Sequence, residues 1–103
     1  MRILVVCGAG ASSTFVAQRV RRSARDRGLV VQVDAAGAGR LEQGLDEVDV
    51  VLLGAHVGDL ADLVRERAAE ASVAVAVMTE RVFAARDGEE ALDLALEVAG
   101  ARS

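Results

Sequence analysis

The sequence of 103 residues contains no tryptophan, tyrosine, proline or lysine, and its only aromatic residues are Phe15 and Phe83. Hydrophobic residues still make up 52% of the chain, so valine, leucine, alanine and isoleucine have to build the core. Such aliphatic strands are typical of parallel sheets that helices cover on both faces. The scarcity of aromatic residues and a net charge of −4 argue against nucleic acid as a partner.

Long apolar runs are also missing. No run approaches the roughly 20 residues needed to cross a bilayer, and the chain does not open on a secretory signal. We therefore expect no direct membrane insertion. Cys7 is the only cysteine, which excludes an internal disulfide and favours a cytoplasmic location. The length predicts a single domain over residues 1–103.

The charge is unevenly distributed along the chain. Residues 1–31 carry six arginines and one acid, a balance of +5, whereas residues 51–103 carry five arginines and ten acids, a balance of −5. Arg19, Arg22 and Arg25 fall broadly on one side of a predicted first helix. We interpret them as a solvated polar face, with attraction to an acidic partner surface as the alternative.

Short apolar segments alternate with helical patterns. The segments predict four buried strands, over Ile3–Val6, Leu29–Val33, Val50–Leu53 and Val73–Met78. The order of strands and helices predicts an α/β fold, a three-layer α/β/α arrangement with a four-stranded parallel sheet.

The helical patterns come from apolar residues at intervals of three and four. The first helix is predicted over Ser13–Arg27, with Gly28 as its stop signal. Leu41 and Leu45 indicate a short helix, and the apolar positions of Val57–Ala68 indicate another. The last helix is predicted to follow a stretch that resembles a capping box, Asp87-Gly88-Glu89-Glu90, with Leu92, Ala95, Leu96 and Ala99 on one face.

Cys7 directly follows the first predicted strand, and ligands of open α/β sheets bind beyond the carboxyl ends of the strands. The next seven residues are small or carry a hydroxyl: Gly8, Ala9, Gly10, Ala11, Ser12, Ser13 and Thr14. Backbone N–H groups of such a loop can converge on an anion, and the hydroxyls can cap the helix and donate further hydrogen bonds. The same field stabilises a thiolate, so we predict a thiol pKa below its ordinary value.

Other interpretations of this loop are weaker. A lone cysteine is often a small buried hydrophobic residue. A dinucleotide-binding loop would need a third glycine where Ser13 stands, and a Walker-type phosphate loop would need a lysine. One cysteine and one histidine, His56, are a poor basis for a metal site. We interpret His56 as a surface loop residue.

Three stretches carry a resemblance to a known family: "ILVVCGAGASST", "DVVLLGAHV" and "VMTERVFAARDGEEALDLAL". They resemble the IIB component of the sugar phosphotransferase system, of the lactose/cellobiose (chitobiose) type. The resemblance implies that Cys7 accepts a phosphoryl group from a phosphohistidine of a IIA protein. The group then passes to a sugar held by the membrane IIC permease. It also implies that residues 8–14 bind the phosphate, without a metal or other cofactor.

Two alternatives from other classes stay open. A low-molecular-weight phosphatase shares the strand, cysteine loop and helix, but its C-x5-R loop needs an arginine where Ser13 stands. A regulatory module whose phosphorylation state another protein senses would use the same loop.

Overall fold

A computed structural model gives the arrangement of most of the chain. It describes residues 1–7, 11–37, 39, 45, 47–54 and 61–102, and for residues 11, 12, 101 and 102 it describes the backbone only. The predicted helix at Leu41 and Leu45 lies mostly outside these residues, although Leu45 itself is described and buried.

A parallel sheet forms the centre of the described structure. Its strands are β1 (Arg2–Val6), β2 (Gln32–Ala36), β3 (Val50–Leu53) and β4 (Ala74–Val77). They lie side by side in the order β2-β1-β3-β4, and every neighbouring pair is parallel. The predicted α/β class and four-stranded parallel sheet are confirmed.

Helices cover both faces of this sheet. They are α1 (Ala11–Asp26), α2 (Ala61–Ala71), α3 (Glu80–Ala84) and α4 (Glu89–Arg102). Apolar residues of α1 and α4 form one buried cluster with the sheet, and those of α2 form a second cluster with the opposite face. The predicted three-layer arrangement is therefore confirmed.

β1 shows why the two faces differ. Successive side chains of a strand point to opposite faces. Ile3 and Val5 join the cluster with α1 and α4, whereas Leu4 and Val6 join the cluster with α2. The alternation continues past the strand, so Cys7 also lies on the face that α1 and α4 cover.

The strand order places a crevice at the carboxyl ends of β1 and β3. From β1 the chain passes through α1 to β2 on one side, and from β3 it passes through α2 to β4 on the other. The direction of winding thus reverses between β1 and β3, and ligands of doubly wound sheets bind at such a reversal.

The prediction of the second strand is wrong in its bounds. Leu29–Val33 was expected, but pairing with β1 begins at Gln32 and extends to Ala36. Gly28, with a φ of 71°, follows the end of α1, and Val30 is 95% exposed. Leu29 and Val30 are exposed and lie before the paired residues, whereas Val33 is buried and pairs with Ile3. The apolar stretch therefore begins earlier than the strand, because β2 is an edge strand that starts at Gln32.

The short helix α3 was not predicted. Thr79 caps it, since its hydroxyl accepts a hydrogen bond from the N–H of Val82 at 3.2 Å. The last helix begins as expected, where the N–H of Glu89 donates to the Asp87 carboxylate at 3.1 Å. Within the described residues, no helix has the length and apolar character that a membrane crossing requires.

Candidate functional site

Cys7 lies at the carboxyl end of β1, as predicted. Its N–H donates to the carbonyl oxygen of Ala36 at 3.1 Å, which continues the pairing of β1 with β2. The side chain is only 3% exposed and belongs to the apolar cluster beneath α1 and α4. The sulfur is therefore held at the edge of the core, beside the crevice between β1 and β3.

Ala36 also connects Cys7 to the first turn of α1. The Ser13 hydroxyl donates to the Ala36 carbonyl oxygen at 3.2 Å, and the side chain of Ser13 is fully buried. One carbonyl thus accepts from both Cys7 and Ser13. This shared acceptor holds the amino end of α1 close to the backbone of the cysteine.

The amino end of α1 can attract a negative charge. The first four N–H groups of a helix have no acceptor inside the helix, and the helix dipole favours an anion there. α1 has 16 residues and begins at Ala11, four positions after Cys7. An anion bound to the sulfur would therefore lie in a field that stabilises it.

Gly54 lies against the sulfur on the other side, and Phe83 lies beside Gly54. Gly54 follows β3, and its N–H donates to the carbonyl oxygen of Val6 at 2.8 Å. A Cβ atom at position 54 would lie 2.9 Å from the Cys7 Sγ and 3.3 Å from Cε2 of Phe83. The cysteine side chain thus packs directly against the backbone of Gly54.

Burial changes the acidity of the thiol. Desolvation raises the pKa of Cys7 above its ordinary value, because removal from water disfavours the charged thiolate. The predicted lowering of this pKa is therefore wrong.

An apolar groove of about 240 Å³ lies next to this site. Phe15, Val16 and Arg19 of α1 line one side, and Phe83 and Ala84 of α3 line the other. The Arg19 guanidinium donates to the carbonyl oxygen of Ala85 at 3.0 Å and so joins α1 to the end of α3. Phe83 lines this groove, and its Cε2 atom also lies 3.3 Å from the place that a Cβ atom at position 54 would take.

The predicted phosphate-binding residues are described in part. Residues 8–10 lie outside the described residues, and so does His56. Ala11 and Ser12 form the start of α1, and Thr14 is exposed in its first turn. The single O–H of Ser13 donates to Ala36, so in this structure that proton serves the fold. Over the part of the chain that is described, no group of three or more histidine, cysteine or acidic side chains is arranged to hold a metal ion.

Sequence reasoning missed Gly54 and Phe83 as parts of the site. The available signal was a glycine at the end of an apolar strand, which often marks a close approach of two segments. That signal becomes specific only with the register, in which Leu53 pairs with Val6. The next residue on each strand is then Gly54 and Cys7.

The fold and the cysteine site define a class of protein. Residues 2–94 match the family described as "PTS system, Lactose/Cellobiose specific IIB subunit". Because the match covers most of the chain, this protein belongs to that family of phosphotransferase-system components. The family identified from the sequence is confirmed.

Individual relatives agree with this assignment. The chain is 23% identical over 97 residues to the oligo-beta-mannoside-specific EIIB component of Bacillus subtilis (strain 168), and the match covers 94% of each protein. The fold is similar to the lactose-specific IIB domain from Streptococcus pneumoniae, with a TM-score of 0.86 and 16% sequence identity. That match covers 95% of this chain and 96% of the other. The fold is also similar to the cellobiose-specific IIB protein from Borrelia burgdorferi, with a TM-score of 0.75 and 26% sequence identity. This match covers 100% of this chain and 94% of the other.

Proposed function

We propose that this protein carries a phosphoryl group on Cys7, taken from a phosphohistidine of a IIA protein and passed to a sugar held by a membrane IIC component. The observation that carries the proposal is the position of the cysteine. The sole thiol of the chain lies at the winding reversal of the sheet, with the amino end of a 16-residue helix nearby. Membership of the IIB family supports the same role.

The transfer is a substitution at phosphorus. The Cys7 thiol loses its proton, and the sulfur attacks the phosphorus of the phosphohistidine. An S–P bond forms while the P–N bond breaks, and the electron pair stays on the imidazole nitrogen of the donor. The proton that the thiol loses is balanced by protonation of that nitrogen. We expect backbone N–H groups of residues 8–14 to stabilise the charge on the equatorial oxygens, which preorganised donors do without reorganisation. In the second transfer a sugar hydroxyl attacks the same phosphorus, an O–P bond forms while the S–P bond breaks, and the proton of the hydroxyl balances reprotonation of the departing Cys7 thiolate.

The site suits a carrier better than a phosphatase. A hydrolytic cysteine enzyme grips the equatorial oxygens with a guanidinium from its loop. The corresponding position holds Ser13, which is buried and bonded to Ala36. A carrier benefits from the missing guanidinium, since the phosphoryl group has to survive until a sugar hydroxyl arrives.

Phosphoryl transfer in a reconstituted system tests the proposal. The protein is mixed with a phosphorylated IIA protein of a lactose/cellobiose-type system and then with membranes that contain the IIC component. We expect radiolabelled phosphate to appear on the chain and then on sugar. Cys7→Ser and Cys7→Ala should abolish both steps while circular dichroism shows a folded protein.

Two results would overturn the proposal. Label that reaches the chain but never reaches sugar would favour a regulatory module. Steady hydrolysis of the label, lost in Cys7→Ser, would favour a phosphatase.

A further inference from the structure

A side chain at position 54 could fit only if neighbouring side-chain atoms moved. A Cβ atom there would lie 2.9 Å from the Cys7 Sγ, 3.6 Å from the Cys7 Cβ and 3.3 Å from Cε2 of Phe83. The contact with sulfur is the shortest of the three and lies well inside ordinary packing distances. The sulfur therefore occupies part of the space that a side chain at position 54 would need.

The backbone of Gly54 is fixed from both sides. Its own N–H donates to the Val6 carbonyl oxygen of β1 at 2.8 Å. One residue earlier, the carbonyl oxygen of Leu53 accepts from the N–H of Met78 at 2.7 Å, beyond the end of β4. Gly54 cannot retreat from the sulfur without breaking the pairing of a central strand.

Backbone conformation does not explain this glycine. Among the glycines that the structure describes, Gly28 has a positive φ, whereas the φ of Gly54 is not in that range. The φ of Gly54 lies outside the left-handed range that favours glycine, and a glycine loses more conformational freedom on folding than an alanine does. The feature of position 54 that favours glycine is instead the close approach of the Cys7 sulfur to where a Cβ atom would lie.

We propose that Gly54 is a positioning residue for phosphoryl transfer, because its missing side chain leaves the space in which the Cys7 sulfur lies. This inference rests on the proposed phosphoryl transfer at Cys7. A methyl group at position 54 displaces the sulfur from the line along which it meets the phosphorus. The residue touches the nucleophile and takes no part in the chemistry.

The size of the effect follows from the distances. Two non-bonded atoms in ordinary contact lie about 3.5 Å apart. A Cβ atom added at position 54 would lie 2.9 Å from the Cys7 Sγ, so restoring an ordinary contact displaces the sulfur by roughly 0.6 Å. Misplacement of a reacting atom by about 1 Å can slow a reaction by about 100-fold. We expect Gly54→Ala to slow phosphoryl acceptance by about 10- to 100-fold.

The test compares Gly54→Ala with Gly100→Ala, a matched control in α4 where a Cβ atom has no neighbour within 4 Å. The rate of phosphoryl transfer from phosphorylated IIA and the rate of iodoacetamide alkylation against pH are measured for both variants. The alkylation profile reports the sulfur itself and needs no partner protein. We expect Gly54→Ala to change the alkylation midpoint or limiting rate, and Gly100→Ala to match the parent.

A double-mutant cycle assigns the effect to the sulfur. The fall in the urea midpoint caused by Gly54→Ala is measured in the parent and in the Cys7→Ala background, which lacks Sγ. We expect a smaller fall in the second background, since the shortest contact is gone. The Cys7→Ala/Gly54→Ala double variant also keeps the test valid if Gly54→Ala alone does not fold.

Equal falls in both backgrounds would overturn the inference, and so would an alkylation profile for Gly54→Ala that matches Gly100→Ala. If the parent protein accepts no phosphoryl group from IIA, the proposed function fails. If the parent accepts it and Gly54→Ala does so equally fast, only the positioning role fails.

Discussion

The contact between α1 and the start of α4 makes a prediction about stability. Gly88 is buried just before α4, and its carbonyl oxygen accepts the first hydrogen bond of that helix, from Leu92 at 2.8 Å. A Cβ atom at position 88 would lie 2.5 Å from the C and O atoms of Arg19 and from the N atom of Val20. All three are backbone atoms of α1, so no side-chain rotation relieves the overlap.

Gly88→Ala should therefore force the two helices apart. Ordinary contacts of about 3.4 Å in place of 2.5 Å require α1 and α4 to move apart by roughly 0.9 Å. This movement opens the cluster that the two helices share with the sheet. Forcing extra volume into a packed core costs about 1–3 kcal/mol. We expect a loss near the upper limit, about 3 kcal/mol, since the clash is with backbone. That corresponds to a fall in Tm of roughly 12–24 °C for a domain of this size.

Urea unfolding followed by circular dichroism measures this loss. Gly100→Ala is the matched control, as it adds the same methyl group within α4 but meets no atom within 4 Å. Because alanine has the higher helix propensity, the free energy of unfolding of Gly100→Ala should equal that of the parent or exceed it by up to about 1 kcal/mol. If Gly88→Ala stays within about 0.5 kcal/mol of the parent, the close approach of the two helices is not as described.

Four further predictions concern the cysteine site. Burial raises the pKa of the Cys7 thiol, so its iodoacetamide alkylation midpoint should lie above that of a free thiol, and a lower midpoint would contradict the desolvation argument. The folded chain then holds the thiol proton more tightly than the unfolded chain does. The free energy of unfolding should therefore fall as the pH rises from the thiol pKa of the unfolded chain through that of the folded chain. Cys7→Ala should not show this pH dependence. Ser13→Ala should lower the unfolding free energy by about 1 kcal/mol, because it removes the hydrogen bond to Ala36, and unchanged urea midpoints would refute this. The protein should release no nitrophenol from p-nitrophenyl phosphate, and turnover that Cys7→Ser abolishes would contradict a carrier.

The central strands could be predicted from the sequence because burial and pairing coincide in them. Val50–Leu53 was predicted with the observed bounds, and every residue of it is buried. β2 shows the opposite case, since it lies at the edge of the sheet and runs through Gln32 and Asp34. Apolar composition indicates burial. It therefore does not locate a strand that is held mainly by hydrogen bonds along one edge.

The candidate site could be predicted in position but not in its surroundings. A cysteine between a strand and a helix places Cys7 at the carboxyl edge of the sheet, and the structure agrees. The contact with Gly54 depends on the strand order, which no local pattern contains. The direction of the thiol pKa also depends on how deeply the sulfur is buried, and that follows from packing by α1 and α4.

The identity of the phosphorylated residue tests the central claim most directly. The protein is incubated with phosphorylated IIA, the IIA protein is removed, and the chain is fragmented and analysed by mass spectrometry under conditions that preserve labile phosphoryl groups. We predict one phosphoryl group per chain, carried on Cys7, and none on the Cys7→Ser variant. A phosphoryl group on His56 or on a hydroxyl residue, or its retention in Cys7→Ser, would contradict the account.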